Sequence, residues 1–152
     1  MRVFKVKFFG TIHFEDYGKF NINFEKMREK ASRLIREFDV KTPSLDAQVS
    51  MLSGGNLQRL ILARELSRNP KVLVASQPTR GLDVAGIEYV RRRIVETADN
   101  GTAVILISED LDEIFHIADR IAVIYVGQIR GVFDKNVVTK EDVGILMAGG
   151  SL

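Results

Sequence analysis

The stretch Leu52-Ser53-Gly54-Gly55-Asn56-Leu57-Gln58 carries the clearest chemical signal in the chain. Ser53 stands where a loop enters a helix, and two glycines let a ligand approach the backbone and permit positive φ. Unpaired backbone N–H groups and the positive end of the helix dipole then face outward together, which favours phosphate. An N-cap followed by a flexible turn accounts for the same residues, so a bare Ser-Gly-Gly leaves both readings open. Further on, Pro78-Thr79-Arg80-Gly81-Leu82-Asp83 joins an apolar run to a helix, and Ser108-Glu109-Asp110 ends a second run. Glu109, Asp110, Asp112 and Glu113 place acids in a helix's first turn, which the dipole favours by about 0.3–1 kcal/mol each.

Other chemistries lack their residues. There is no cysteine, so disulfides, thiolate metal sites and a cysteine nucleophile are excluded, and a reducing compartment fits. His13 and His116, without neighbouring ligands, read as structural or surface residues, and no metal site is expected. A phosphate-cradling Gly-x-x-x-x-Gly-Lys-Ser/Thr loop is missing too. The one Gly-Lys pair, Gly18-Lys19, precedes Phe20, and His13 stands where the first glycine belongs.

The elements that must position these residues follow from periodicity. Phe24, Met27, Ala31, Leu34, Ile35 and Phe38 keep helical spacing, and Pro43 follows, so 24–38 is predicted as an amphipathic helix. A second helix runs from Asn56 to Arg68, with apolar residues spread almost round it. Apolar runs at 72–75, 103–107 and 121–126 read as strands buried on both faces. Helices at 84–98 and from Leu111 to Ala118 separate them, Gly127-Gln128 reads as a tight turn into a strand at 129–133, and 139–148 is a terminal helix. Residues 1–9 allow a strand, and 10–23 are uninformative. Strands alternating with helices predict an α/β fold with a parallel sheet.

Composition agrees with a globular chain. At 152 residues and 45% hydrophobic content it suits one domain, burying roughly 68–70% of its unfolded surface. No apolar run approaches the ~20 residues of a membrane span, and lysines interrupt the first residues, which excludes a signal-peptide core. Residues 1–100 carry 18 basic and 12 acidic side chains, a weak nucleic-acid footprint, and no nucleic-acid partner is expected. The triplet Arg91-Arg92-Arg93 reads as a solvated face, because Ile87, Val90, Ile94 and Ala98 define the buried stripe of that helix.

Taken in order and spacing, these motifs resemble the nucleotide-binding domain of ATP-binding cassette (ABC) transporters. More narrowly, they resemble the second nucleotide domain of the ATPases that drive simple-sugar and nucleoside importers, from about Phe24 to Val132. The resemblance implies the P-loop NTPase-like fold lacking its Walker A half. Residues 24–152 would then be the carboxyl-terminal part of such a domain and 1–23 an unassigned segment. It further implies a signature at Leu52, Ser53, Gly54, Gly55, Asn56 and Gln58, whose Ser53, Gly54 and Gly55 bind the γ-phosphate of ATP held by an opposing domain. Val72–Gln77 resembles the Walker B strand and its end, and Gly81, Leu82 and Asp83 resemble the D-loop. Three positions depart from the pattern. Ser76 stands where the family has a magnesium-supporting aspartate, Gln77 where it has the catalytic glutamate, and Glu109 where it has the switch histidine.

Loss of metal support, water activation and charge stabilisation together implies a degenerate site. The expectation is an importer ATP-binding subunit that lends its signature in trans and is inactive alone. ATP and Mg²⁺ would act only in the assembled transporter. Its partners would be an intact nucleotide-binding domain and membrane permease subunits, with the chain peripheral to the cytoplasmic face of the cell membrane. The family's phosphate-loop strand would lie between the strands at 103–107 and 121–126. Here those strands pair directly, or 1–9 or a second copy fills the gap through an exposed edge. The signature lobe of a DNA-repair or chromosome-organising ATPase, and a non-catalytic interaction module, remain as alternatives.

Overall fold

A computed structural model describes residues 23–152. The described residues divide into two units, one holding 23–73 with Thr79–Ala103, the other holding Val74–Pro78 with Val104–Leu152. The predicted strand at 1–9 lies outside the described residues.

Three helices build the described part of the first unit. Helix α1, Phe24–Glu37, starts where the Asn23 side chain accepts from the Lys26 N–H at 3.0 Å. It buries Ala31 and Leu34 and ends at Phe38, itself buried, before Asp39 turns the chain at φ +49°. A short 3₁₀ turn at Val49–Met51 leads into α2, Gly54–Leu66, which buries Leu60, Leu62 and Ala63. Helix α3, Val84–Asp99, is capped by Asp83, whose side chain accepts from the Gly86 N–H at 2.7 Å. Gly86 is required there, since a Cβ would meet Asp83 Oδ1 at 2.9 Å.

The face of α3 differs from the expected one. Tyr89 is buried and Ala98 is exposed, so the stripe is rotated toward Tyr89. Of the arginine triplet only Arg92 is well exposed. Arg93 lies over the Phe38 ring at 4.2 Å and pairs with Glu96 at 3.1 Å, so its guanidinium packs as well as charges.

Strand β1, Val72–Ser76, pairs with β2, Ala103–Ile107. Lys71 O accepts from the Ala103 N–H at 2.9 Å, and Ile107 O from the Gln77 N–H at 2.8 Å, so the strands are parallel. The expectation of burial on both faces is not met. Val72, Val74, Ile105 and Ile107 are 50–59% exposed, because among the described residues only one face of this pair is packed.

The second unit is centred on a hairpin. Strand β3, Arg120–Tyr125, pairs antiparallel with β4, Gln128–Asp134, with a register shift at Val123/Ile124. The third apolar run is therefore half of a hairpin, its partner among the described residues is antiparallel, and β2 and β3 do not pair. The turn residues Val126 and Gly127 both have positive φ, the geometry that matches the twist of a two-residue hairpin loop. Helix α4, Leu111–Ile117, and helix α5, Lys140–Met147, complete the unit. Ile121 and Val123 pack with Val138, Val143 and Leu146, and Leu111, Ile114, Phe115 and Phe133 close over them. Each such side chain contributes about 1.5–3 kcal/mol when fully buried.

Candidate functional site

Ser53 caps α2 in extended backbone at φ −63°, ψ 160°, and its Oγ accepts from the Asn56 N–H at 3.4 Å. The cap is formed as the sequence suggests, but the glycines do not use the positive φ open to them. Gly54 and Gly55 are the first residues of the helix, and neither has a positive φ. Their use is space. A Cβ on Gly55 would meet nothing within 4 Å, and one on Gly54 would meet only the Gly81 carbonyl at 4.0 Å. Their N–H groups belong to the first turn and have no acceptor within the helix. No acidic residue occupies that turn, so the positive end of the dipole is not neutralised there. The result is an open, donor-rich helix terminus suited to an anion with several acceptor oxygens.

Gly81 is thus brought beside Gly54 within the same unit. It sits at φ +75°, held by the Leu82 N–H bond to Thr79 O at 3.2 Å, with Thr79 buried. Leu82 is half-buried and Asp83 is committed to capping α3. Leu52 and Gln58 are half-buried on either side of the glycines. Met51 and Val84, at the borders of the two segments, are 64% and 77% exposed.

Periodicity did not reveal a ring of contacts that anchors this terminus. The Asn56 Nδ2–H donates to Ser53 Oγ at 2.9 Å, while its Oδ1 accepts from the Lys41 N–H at 2.7 Å. Arg59 donates to the Asp39 carboxylate at 2.8 Å and lies 3.8 Å above the Tyr89 ring. The Tyr89 O–H donates to Phe38 O at 2.9 Å, and burial raises the pKa of that phenol. The hydrogen bond from Lys41, above all, holds the Asp39 carboxyl below its usual range, and Arg59 adds to the effect. Contacts spanning 15 to 51 residues leave no local signature, which is why only the capping serine was visible in the sequence.

Ser76, Gln77 and Glu109 belong to the other unit. Ser76 is exposed at the end of β1, and Gln77 follows at φ +48° with its N–H given to Ile107 O. Glu109 is exposed just before Asp110, whose side chain caps α4 by accepting from the Asp112 N–H at 2.9 Å and the Glu113 N–H at 3.3 Å. A hydroxyl and a neutral amide at the strand end supply no carboxylate to hold a divalent cation and no base for water. Among the described residues no group of three metal-ligating side chains is found.

No family model matches the chain. It is 48% identical over 131 residues to the nucleoside import ATP-binding protein NupA of Lactococcus lactis, a match covering 86% of this chain and 26% of that protein. It is 47% identical over 126 residues to a guanosine import ATP-binding protein of Bacillus subtilis, covering 83% and 25%. A glucose import ATP-binding protein of Haloferax volcanii is 44% identical over 152 residues, covering 99% and 26%. The chain therefore spans about a quarter of the length of these curated relatives. Among solved structures, a dimeric ATP-binding cassette bound to ADP and phosphate superimposes with a TM-score of 0.65 at 23% identity, over 76% of this chain and 50% of that one. A nucleotide-free cassette from an ABC transporter gives 0.61 at 26% identity, over 72% and 43%.

Proposed function

Because this chain is homologous to part of the sugar and nucleoside import ATP-binding proteins and has the ABC ATPase fold, we propose that it serves such an importer. Its part is to present Ser53, Gly54 and Gly55 to the phosphates of ATP held by a partner nucleotide-binding domain. Residues 24–152 are the signature, Walker B, D-loop and switch portion of the domain. The carrying observation is the contrast between two clusters. The terminus of α2 is open, donor-rich and adjacent to Gly81, whereas Ser76, Gln77 and Glu109 offer neither metal ligand nor base of the family's kind.

ATP fits the first cluster: first-turn N–H groups and the Ser53 hydroxyl are donors, and the missing Cβ atoms leave room for phosphate oxygens. Mg²⁺ does not fit the second, so the ion belongs with the partner's residues in the assembled transporter. Gly81, Leu82 and Asp83 lie at the partner-facing side of this reading, and the exposed Met51 and Val84 provide apolar contact there. No described helix is long and apolar enough to cross a membrane, and the chain acts at the cytoplasmic face, docked to permease subunits.

Isothermal calorimetry with ATP and Mg²⁺, combined with a turnover assay on the chain alone, tests the catalytic half of this reading. We expect neither micromolar binding nor hydrolysis. Either one would overturn the assignment of Ser76, Gln77 and Glu109 as lapsed positions.

A further inference from the structure

A serine hydroxyl has two acceptor lone pairs and one proton, and which of these faces a ligand decides whether it attracts or repels an anion. At Ser53 both lone pairs are engaged, by the Asn56 backbone N–H and by the Asn56 Nδ2–H. The proton is the hydroxyl's remaining hydrogen-bonding capacity. The side-chain amide has no freedom to reverse this, because its Oδ1 already accepts from the Lys41 N–H at 2.7 Å. A flipped amide would set its NH₂ group against that backbone donor.

The Lys41 N–H is itself fixed. Arg59, one helical turn beyond Asn56, grips Asp39 through its carboxylate at 2.8 Å and its carbonyl at 3.3 Å. The Tyr89 hydroxyl holds Phe38 O, and Asp39 holds the left-handed turn between them. Asn56 and Arg59 therefore tie the 38–41 loop to the helix whose first turn carries the glycines, all inside one unit.

We propose that Asn56 is a positioning residue: relayed from the 38–41 loop, its amide presets the Ser53 hydroxyl as a proton donor toward phosphate oxygen. This rests on the phosphate-binding reading given above and adds the group that orients the donor. An unprotonated phosphate oxygen only accepts, so a serine turned the other way would present a lone pair to it.

The Asn56→Asp variant isolates the effect. A carboxylate still accepts from Lys41 and suits the first turn of a helix, but it cannot donate to Ser53, whose proton then turns inward. In ligand-free NMR spectra of the full chain, Ser53→Ala shifts the Asn56 side-chain NH₂ protons. Asn56→Ala moves the Lys41 amide proton toward its solvent-exposed value, and Asn56→Asp leaves that proton bonded. Inorganic phosphate is then titrated while the Ser53, Gly54 and Gly55 amide signals are followed. The Asn56→Asp variant binds phosphate roughly tenfold more weakly. In a Ser53→Ala background the same substitution costs much less, since only its added charge remains. Side-chain NH₂ signals indifferent to Ser53→Ala, or an equal penalty in both backgrounds, would overturn the proposal. A wild-type chain whose 53–55 amides ignore phosphate instead defeats the phosphate reading, and the ligand-free shifts still decide whether the amide holds the hydroxyl.

Discussion

Ser53, Asn56 and Arg59 show why one part of the site was readable and another was not. Ser-Gly-Gly ahead of a helix is contiguous, so cap chemistry and absent Cβ atoms can be read from residue order. The grip of Asn56 on Lys41 and of Arg59 on Asp39 depends on chain segments 15 and 20 residues away, where no period or spacing marks the pairing. Of the two uses expected of the glycines, open space for close approach is present and positive φ is not. The Asp39 contact has a pH signature. Its folded pKa lies below the ordinary 3.8, so its stabilisation is complete above that value and is lost as pH falls through the lower folded pKa. Wild type should therefore exceed Asp39→Asn in urea-midpoint stability near neutrality, and the gap should narrow below pH 3.8. A constant gap would show that the carboxylate's charge contributes nothing. Glu113 offers a second case. It is fully buried, and neither carboxylate oxygen has a hydrogen-bond partner among the described residues. Replacing it by methionine should raise stability by about 1–3 kcal/mol, because an unsatisfied buried polar group is removed while similar volume is kept. Thermal unfolding of Glu113→Met checks this, and a lower midpoint would mean the carboxylate is paired.

Helices and strands were placed within a few residues because their periods are strong, whereas their partners depended on tertiary facts. The strand at 103–107 has the predicted bounds, and β1 and β2 run parallel as expected. The run at 121–126 looked like a third parallel strand because it is almost wholly apolar. The tight turn expected after it is borne out by its antiparallel pairing with 128–134, which makes it a hairpin arm. The turn is centred on Val126-Gly127, one residue earlier than Gly127-Gln128 suggested, since a β-branched residue is a poor guess for positive φ. That position makes its own prediction. Val126 holds φ +46°, a region that costs an ordinary L-residue about 1–2 kcal/mol. With 82% exposure there is little packing to lose, so Val126→Asn should stabilise the hairpin by about 1 kcal/mol. Chemical denaturation reads the change, and an unaltered or lowered midpoint would mean the valine is not strained.

Across the whole molecule the two kinds of residue fall in different units. Ser53, Gly54, Gly55 and Gly81 stand in the unit of α1, α2 and α3, while Ser76, Gln77 and Glu109 stand in the unit of the hairpin. The family's fold was legible because the motifs occur in one order with tight spacing, and solved cassettes with TM-scores of 0.61–0.65 bear it out. The partners of β2 and β3, which do not pair with each other, were not legible, because an apolar run does not say which neighbour it takes. In the proposed function this chain completes another domain's ATP site and has no working site of its own. The most direct measurement is the ATP turnover of an intact nucleotide-binding domain from a nucleoside-import relative, titrated with this chain. Turnover should rise to a plateau with wild-type chain and fail to rise with Ser53→Ala combined with Gly54→Asp. No stimulation by the wild type, or equal stimulation by the variant, would contradict the account.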